Sequence, residues 1–155
     1  KNGVAVIAAN IPRRIARKVS HGEGETLSVL GDEYSPWQIN TDDPAYRARF
    51  AEAMGLHGDT EETNLDDWFA AQCVKDERMA EAIAGELRRK SHDAPLIVHW
   101  CGRFHSDHRL GTVSRLARRR PDLTIITVSM VATEELSTEL SDEASASADF
   151  VWKIR

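Results

Sequence analysis

Two histidines three residues apart, His105 and His108, follow an apolar run and lie between Gly102 and Gly111. Imidazole nitrogens bind zinc, iron and haem iron, so two rings converging from this turn could hold one metal centre. Asp107 could orient one ring through a hydrogen bond, and His105 alone could act as a general base. The alternative is that one histidine packs and the other is solvated, because this spacing is common by chance.

A pair of arginines follows a second apolar run. Arg13 and Arg14 come shortly after Asn10, in the first turn of an expected helix, where the helix dipole disfavours cations. Either they point to solvent and pair with the many acidic residues, or they bind an anion. In the second case their guanidinium groups and the free helix N–H groups would face one carboxylate or phosphate.

Polar side chains also interrupt the apolar face of the longest predicted helix. Gln72 and Asp76 lie four and eight residues after Trp68, hence on its side of that helix. Polar groups in such a position need partners or a hydrated cavity. We therefore expect both to face the arginine and histidine segments. The alternative is that both side chains lie at the edge of the apolar face and form hydrogen bonds with a loop.

The composition limits the class of protein. The chain has 155 residues, of which 41% are hydrophobic and 29% charged, as in one ordinary soluble domain. A net charge of −5 argues against general electrostatic binding of nucleic acid. The longest apolar stretches, of six or seven residues, are too short for a transmembrane segment. Cys73 and Cys101 are too few for a disulfide framework.

Apolar runs alternate with helical patterns along the chain. We predict buried strands at residues 3–9, 96–101, 123–129 and 150–154. We predict helices at residues 12–20, 44–54, 65–89 and 112–120, and a short helical piece near 25–30. This alternation predicts an α/β fold with a mostly parallel sheet flanked by helices. Because ligands gather at the carboxyl ends of parallel strands, residues 10–14 and 102–108 should share one rim of the sheet.

Several short motifs occur in a fixed order along the chain. They are Ala8-Ala9-Asn10-Ile11-Pro12-Arg13, Ala70-Ala71-Gln72 with Lys75-Asp76 and Met79-Ala80, Gly102-Arg103-Phe104-His105 with Leu110-Gly111, and Ala148-Asp149-Phe150-Val151-Trp152. Together they resemble the ChaN-like haem-binding uptake family of the Tiki superfamily, over nearly the whole chain. The resemblance implies one α/β sandwich domain over residues 1–155. It also implies that the domain's first strand, with a Gly-Glu-x-His-like motif, precedes Lys1.

The resemblance implies haem as the cofactor but does not indicate which residue binds the iron. His105 and His108 are the first candidates for this ligand. Tyr34 and Tyr46 are further candidates, because phenolate also ligates haem iron. Arginine forks match carboxylates in geometry, so the two arginines of the N-terminal helix would meet the propionates. The remaining pocket residues would be Asn10, Gln72 and Asp76.

The same resemblance implies a place in bacterial haem and iron uptake. The family is often membrane-anchored, which implies a lipoprotein of the cell envelope or a periplasmic protein. Any lipid anchor would lie outside this chain. The sequence leaves open whether haem is bound within one subunit or between the two subunits of a homodimer.

Two other functions stay open. The wider superfamily includes proteins resembling metal-dependent proteases and erythromycin esterases, in which a second Gly-x-x-His motif corresponds to residues 102–105. In such a metal- or His-dependent hydrolase, His105 would hold a divalent metal or activate water. Asp76 or Asp107 would assist it, and Arg13 would stabilise an oxyanion. The third possibility is an interaction module whose polar clusters only stabilise loops. Of the three, a haem-binding protein rather than an enzyme is favoured.

Overall fold

The computed structural model describes residues 4–22, 34–55, 62–89 and 96–155. In these ranges the longer helices are α1 (Arg13–Val19), α2 (Pro44–Ala53), α3 (Glu62–Arg89) and α4 (Gly111–Arg119). Strand β1 (Val128–Ala132), the one-turn helix α5 (Asp142–Ser145) and strand β2 (Phe150–Ile154) follow. The protein is a mixed α/β chain. Among its described helices, none combines the length and apolar composition that a membrane span needs.

Local sequence signals fix the start of α2. Asp43 is the N-cap, and its side chain accepts a hydrogen bond from the backbone N–H of Tyr46 at 3.1 Å. Pro44 occupies the first helical position, where its missing N–H leaves no hydrogen bond unmade. The helix predicted at residues 44–54 is therefore confirmed to within one residue at its end.

Helix α3 is the centre of the packing, and it confirms the helix predicted at residues 65–89. It contributes to three apolar clusters. The first joins it to α1, through Ile11, Ile15, Ala16, Val19, Ala71 and Val74. The second joins it to α2, through Tyr46, Phe50, Leu65, Phe69 and Cys73. The third joins it to α4, through Ala80, Ile83, Ala84 and Leu116. The apolar stripe of α3 thus fixes where the other three helices lie.

The two strands form a parallel pair. Val128 lies opposite Phe150, and Ala132 lies opposite Ile154. Successive side chains alternate between the two faces of a strand. Ser129 is buried, whereas Val128, Met130, Phe150 and Trp152 are exposed. The pair therefore packs through one face and leaves an apolar face uncovered within the described part of the chain.

The predicted sheet is only partly observed. The strand at residues 150–154 is confirmed as β2, but the strand predicted at 123–129 begins at Val128 instead. The predicted strands at 3–9 and 96–101 are wrong, because residues 4–9 and 96–101 lie outside every helix and strand. Side chains predicted to be buried are exposed there, including Val4, Val6, Leu96 and Trp100. An apolar β-branched run favours an extended backbone, but a strand also needs a neighbour for its N–H and C=O groups. The described residues supply that neighbour only to β1 and β2.

The described residues form a two-stranded sheet, so the rim of the predicted four-stranded sheet does not position the site. Residues 10–14 lead into α1, and residues 102–108 lead into two short 3₁₀ turns before α4. Both segments pack against α3, which takes over the positioning role that the sequence assigned to the sheet. The helical piece predicted near residues 25–30 falls outside the described residues.

Candidate functional site

His105 contacts a buried carboxylate. It is the last residue of the 3₁₀ turn Arg103–His105, and its Nδ1 atom lies 2.8 Å from Oδ1 of Asp76. A lone pair on Nδ1 would be repelled by a carboxylate oxygen at this distance, so Nδ1 carries the proton and donates it to Asp76. The other ring nitrogen, Nε2, makes no hydrogen bond to any described residue.

Asp76 is fully buried and accepts two further hydrogen bonds. The Tyr46 hydroxyl donates to its Oδ2 atom at 2.7 Å, and the Thr112 hydroxyl donates to Oδ1 at 2.7 Å. Gln72 Nε2 donates to the Tyr46 hydroxyl oxygen at 3.0 Å and lies 3.1 Å from Nδ1 of His105. All three neighbours of Asp76 donate to it, which is the arrangement of an ionised carboxylate.

Tyr46 holds its proton. Burial raises the pKa of its hydroxyl well above the usual range, and the Asp76 carboxylate raises this pKa further. The hydroxyl therefore acts as a hydrogen-bond donor. Its ring stacks on Phe104 with centroids 5.1 Å apart, which holds the hydroxyl oxygen in place beside Asp76.

Gly111 allows the histidine turn to approach the rest of the site. It has a φ of 53°, in the left-handed region that favours glycine. A Cβ atom on Gly111 would lie 2.6 Å from the carbonyl oxygen of His105 and 3.0 Å from the Tyr46 hydroxyl. Any other residue would push His105 and Tyr46 apart.

The same turn is held to the strands from its other side. His108 and Arg109 have φ values of 57° and 59°, which are uncommon for residues other than glycine. Arg109 pairs with Asp149 at 2.8 Å, next to the start of β2. Arg103 donates to Ser129 of β1 at 2.9 Å. These contacts compensate for the strained backbone and hold the turn that carries His105.

A cleft of about 1300 Å³ opens between α1 and α3, with His105 in its wall. Its apolar lining residues are Ile11, Ala16, Phe50, Met54, Trp68 and Ala71. Its Lys and Arg lining residues are Arg13, Arg14, Arg17, Lys18 and Lys75, and no described Asp or Glu lines it. Burial lowers the pKa of Lys75, against the opposing influence of Asp76. The four cations of α1 form no ion pair with any described residue. In a chain of net charge −5, this cleft is thus a local concentration of positive charge.

The structure brings together most of the residues singled out in the sequence. Asn10, Arg13, Arg14, Gln72 and His105 line the cleft, and Asp76 lies directly behind His105. The prediction that Gln72 and Asp76 contact the histidine segment is confirmed.

Other candidates lie elsewhere. His108 is not among the cleft residues, and its backbone N–H donates to the carbonyl oxygen of Ser147 at 2.6 Å. Tyr34 packs against the cluster between α1 and α3 and does not line the cleft. Asp107 accepts hydrogen bonds from Arg103 and Ser129. The carboxylate that orients the His105 ring is therefore Asp76. The described part of the chain holds no group of three His, Cys, Asp or Glu side chains arranged to bind a metal ion.

Two further groups near the site have pKa shifts that favour their uncharged forms. His99 has a lowered pKa, mainly because of burial and secondarily because of His105, with Asp76 opposing. Its buried Nε2 atom has no hydrogen-bond partner among the described residues. Burial also raises the pKa of the Cys101 thiol, which disfavours a thiolate ligand at this position.

Several residues of the site were missed in the sequence. Arg17 and Lys18 follow Arg13 and Arg14 by four residues, so helical spacing could have placed all four cations on one face. Tyr46 was considered only as an iron ligand, whereas it donates to Asp76. Thr112 carries no local signal, because its partner lies 36 residues earlier in the chain.

Comparison with known proteins identifies the family of this chain. No curated protein and no solved structure gives a significant match. The profile of the family described as haem-binding uptake, Tiki superfamily, ChaN matches residues 1–116, which is 116 of the 155 residues. The match includes α1, α3 and the turn with His105. The chain therefore belongs to the ChaN haem-binding uptake family of the Tiki superfamily.

Proposed function

We propose that this protein binds haem in the cleft between α1 and α3 and serves haem or iron uptake in the cell envelope. His105 is the proposed iron ligand, and Arg13 and Arg14 face the propionates. One observation carries the proposal. An imidazole, oriented by a buried carboxylate, lies at a cleft lined by five Lys and Arg side chains and by no described acidic residue.

The donor set fits haem iron. Iron in haem accepts an imidazole lone pair when the group is bound. Because the Nδ1 proton of His105 is committed to Asp76, the ring has a fixed tautomer and presents Nε2 as its only free nitrogen. A solvated histidine would have to lose rotational freedom on binding, whereas His105 is already held in place.

The shape and the apolar lining also fit. The cleft, at 1300 Å³, is larger than the roughly 300–1,000 Å³ of ordinary small-molecule sites. Trp68 and Phe50 offer aromatic surface to a macrocycle, and Ile11 adds an aliphatic side chain. This combination suits a large, flat and mostly apolar ligand.

The charges suit the two propionates of haem. Arg13 and Arg14 have no carboxylate partner among the described residues, so a ligand carboxylate would not have to displace one. Guanidinium groups bind carboxylates in a bidentate geometry. A dicarboxylate ligand would satisfy both arginines and leave Arg17 and Lys18 to stabilise it at longer range.

The alternative ligands fit less well. A tyrosine binds haem iron as phenolate, and the raised pKa of Tyr46 together with its donation to Asp76 disfavours this form. A His-based hydrolase would use the same Asp76–His105 pair to activate water. The two functions differ in their ligand, so one titration separates them.

The test is a titration of the purified protein with hemin, followed by visible spectroscopy. We expect a saturable Soret shift. In the variant His105→Ala, affinity should fall at least tenfold, which corresponds to about 1.4 kcal/mol. The matched control is His108→Asn, since asparagine tolerates the left-handed backbone at that position. Unchanged binding in His105→Ala, or equal losses in both variants, would contradict the assignment. Ester hydrolysis without a Soret shift would favour the hydrolase.

A further inference from the structure

We propose that the cleft between α1 and α3 prefers porphyrins with more than two carboxylates, and that Arg17 and Lys18 select them. This inference rests on the porphyrin-binding part of the function proposed above and concerns neither the iron nor its ligand. The observation behind it is a surplus of positive charge. Haem offers two propionates, whereas five cationic side chains line the cleft, namely Arg13, Arg14, Arg17, Lys18 and Lys75.

The cations of α1 lack the acidic partners that several other accessible arginines of this protein have. Such partners are present in the ion pairs Arg47–Asp66, Arg49–Glu143 and Arg109–Asp149. In α1 all four cations are exposed, and none forms an ion pair with a described residue. The haem propionates would occupy only Arg13 and Arg14. Arg17 and Lys18 then remain as cations that can bind further carboxylates without losing a protein partner.

Helical spacing arranges the four cations in two rows along α1. Arg17 follows Arg13 by four residues, and Lys18 follows Arg14 by four residues, so each pair lies on one side of the helix. Four residues correspond to about 6 Å along the helix axis. The opposite face of α1 is buried against α3, which fixes where these rows lie. A ligand with carboxylates along its edge therefore meets a second pair of cations one turn beyond the first.

The α3 wall of the cleft supplies the fifth cation. Lys75 lines the cleft from α3, and its Nζ atom donates a hydrogen bond to Oε1 of Gln72 at 3.4 Å. Cationic side chains therefore line the cleft from both helices. Carboxylates on different sides of a porphyrin ring can each reach a cation, whereas a ligand with two carboxylates on one side leaves some of these cations unused.

The number of carboxylates discriminates between porphyrins because the rest of the contact is shared. The aromatic and aliphatic lining touches the ring of any porphyrin and does not distinguish one from another. Each further carboxylate adds a charge-assisted hydrogen bond, and the guanidinium of Arg17 can form it in a bidentate geometry. Since Arg17 and Lys18 are exposed, salt should screen this gain.

The test compares two metal-free porphyrins, mesoporphyrin IX and coproporphyrin III, by fluorescence titration of the purified protein. They share one ring, but coproporphyrin III carries propionates at the two positions where mesoporphyrin IX carries ethyl groups. At low ionic strength we expect coproporphyrin to bind about tenfold more tightly or better. This ratio should shrink in about 0.5 M salt, where the Debye length is only a few ångströms.

The double variant Arg17→Gln and Lys18→Gln tests the two residues directly. It should lower the affinity for coproporphyrin by about tenfold or more and that for mesoporphyrin by less than about threefold. The matched control is the double variant Arg47→Gln and Arg49→Gln, which removes the same net charge from α2, outside the cleft. There the ratio of the two affinities should equal that of the wild type.

The outcomes separate this inference from the proposed function. If the wild type binds neither porphyrin, both fail. If it binds mesoporphyrin as tightly as coproporphyrin, only the preference fails. A wild-type ratio in the Arg17 and Lys18 variant, or an equal loss of the ratio in the control, would remove these two residues from the assignment. The comparison of the two ligands on the wild type needs no variant, so the preference is testable even if a variant does not fold.

Discussion

Replacing Tyr46 by Phe tests the hydrogen-bond network at its most buried hydroxyl. The change removes one oxygen atom and keeps the ring, so the stacking on Phe104 at 5.1 Å and the edge contact with Phe69 at 5.5 Å stay in place. Two hydrogen bonds are lost, the one donated to Asp76 at 2.7 Å and the one accepted from Gln72 at 3.0 Å. The residue is 1% exposed, so water cannot replace the missing oxygen without rearrangement.

The size of the effect follows from the charge of the acceptor. A hydrogen bond to a charged group contributes about 1.5–3 kcal/mol to stability. We therefore expect Tyr46→Phe to lower the free energy of unfolding by about 2 kcal/mol. For a domain of this size each kcal/mol corresponds to roughly 2–4 °C, so the melting temperature should fall by about 4–8 °C.

The assay is equilibrium unfolding in urea, followed by circular dichroism, on the haem-free protein. The control is Tyr34→Phe, because Tyr34 packs against the first apolar cluster and its hydroxyl makes no hydrogen bond to a described residue. We expect a change below about 0.5 kcal/mol there. In an Asp76→Asn background the cost of Tyr46→Phe should shrink by about 1 kcal/mol, because the charged acceptor is gone. Equal costs in both backgrounds, or equal effects of the two tyrosine variants, would refute the network.

Three further changes test the cleft and its surroundings. Gly111→Ala should destabilise the protein and weaken hemin binding, because its Cβ would clash with the histidine turn at 2.6 Å. The control Gly55→Ala, at φ 71° with no atom nearby, should cost only the backbone strain. Equal losses of stability and of hemin affinity in the two variants would contradict this. The double variant Arg13→Gln and Arg14→Gln should weaken binding of hemin at least tenfold and leave binding of its dimethyl ester unchanged; an equal loss for both ligands would remove the arginines from the propionate site. Burial raises the pKa of the Cys73 thiol to about 12. Its alkylation by iodoacetamide at pH 8, followed by mass spectrometry, should therefore be about a thousandfold slower than in the unfolded chain, and the rate should still increase with pH above 9. Alkylation of the native protein at the rate of the unfolded chain would contradict this burial.

The helices could be predicted from the sequence because their signals are local. Asp43 and Pro44 mark the start of α2 in adjacent residues, and the apolar stripe of α3 repeats along one face. The same stripe placed Gln72 and Asp76 on the buried side, where polar groups need partners. That argument was sufficient to predict contact with the histidine segment.

The strands and the closest partners of Asp76 could not be predicted in this way. An apolar run such as residues 96–101 favours an extended chain but contains no information about which segment pairs with it. Tyr46 and Thr112 reach Asp76 across 30 and 36 residues of sequence, and neither follows a motif for this contact. The left-handed backbone at His108, which directs the turn toward Ser147, also has no counterpart in the residue types around it.

The adjacent carboxylates of α3 also limit how this protein can change over evolution. Consecutive residues of an α-helix point about 100° apart, so Asp76 contacts His105 while Glu77 contacts the arginines of α4. Inserting one residue between residues 72 and 76 would rotate Asp76 into the direction that Glu77 now has, and deleting one would rotate Glu77 into the direction of Asp76. After an insertion the aspartate would face the arginines of α4, and after a deletion the glutamate would face Tyr46, Thr112 and His105. Sequences that share this site should therefore keep the spacing Gln-x-x-x-Asp-Glu without gaps, even where the surrounding residues of the helix differ.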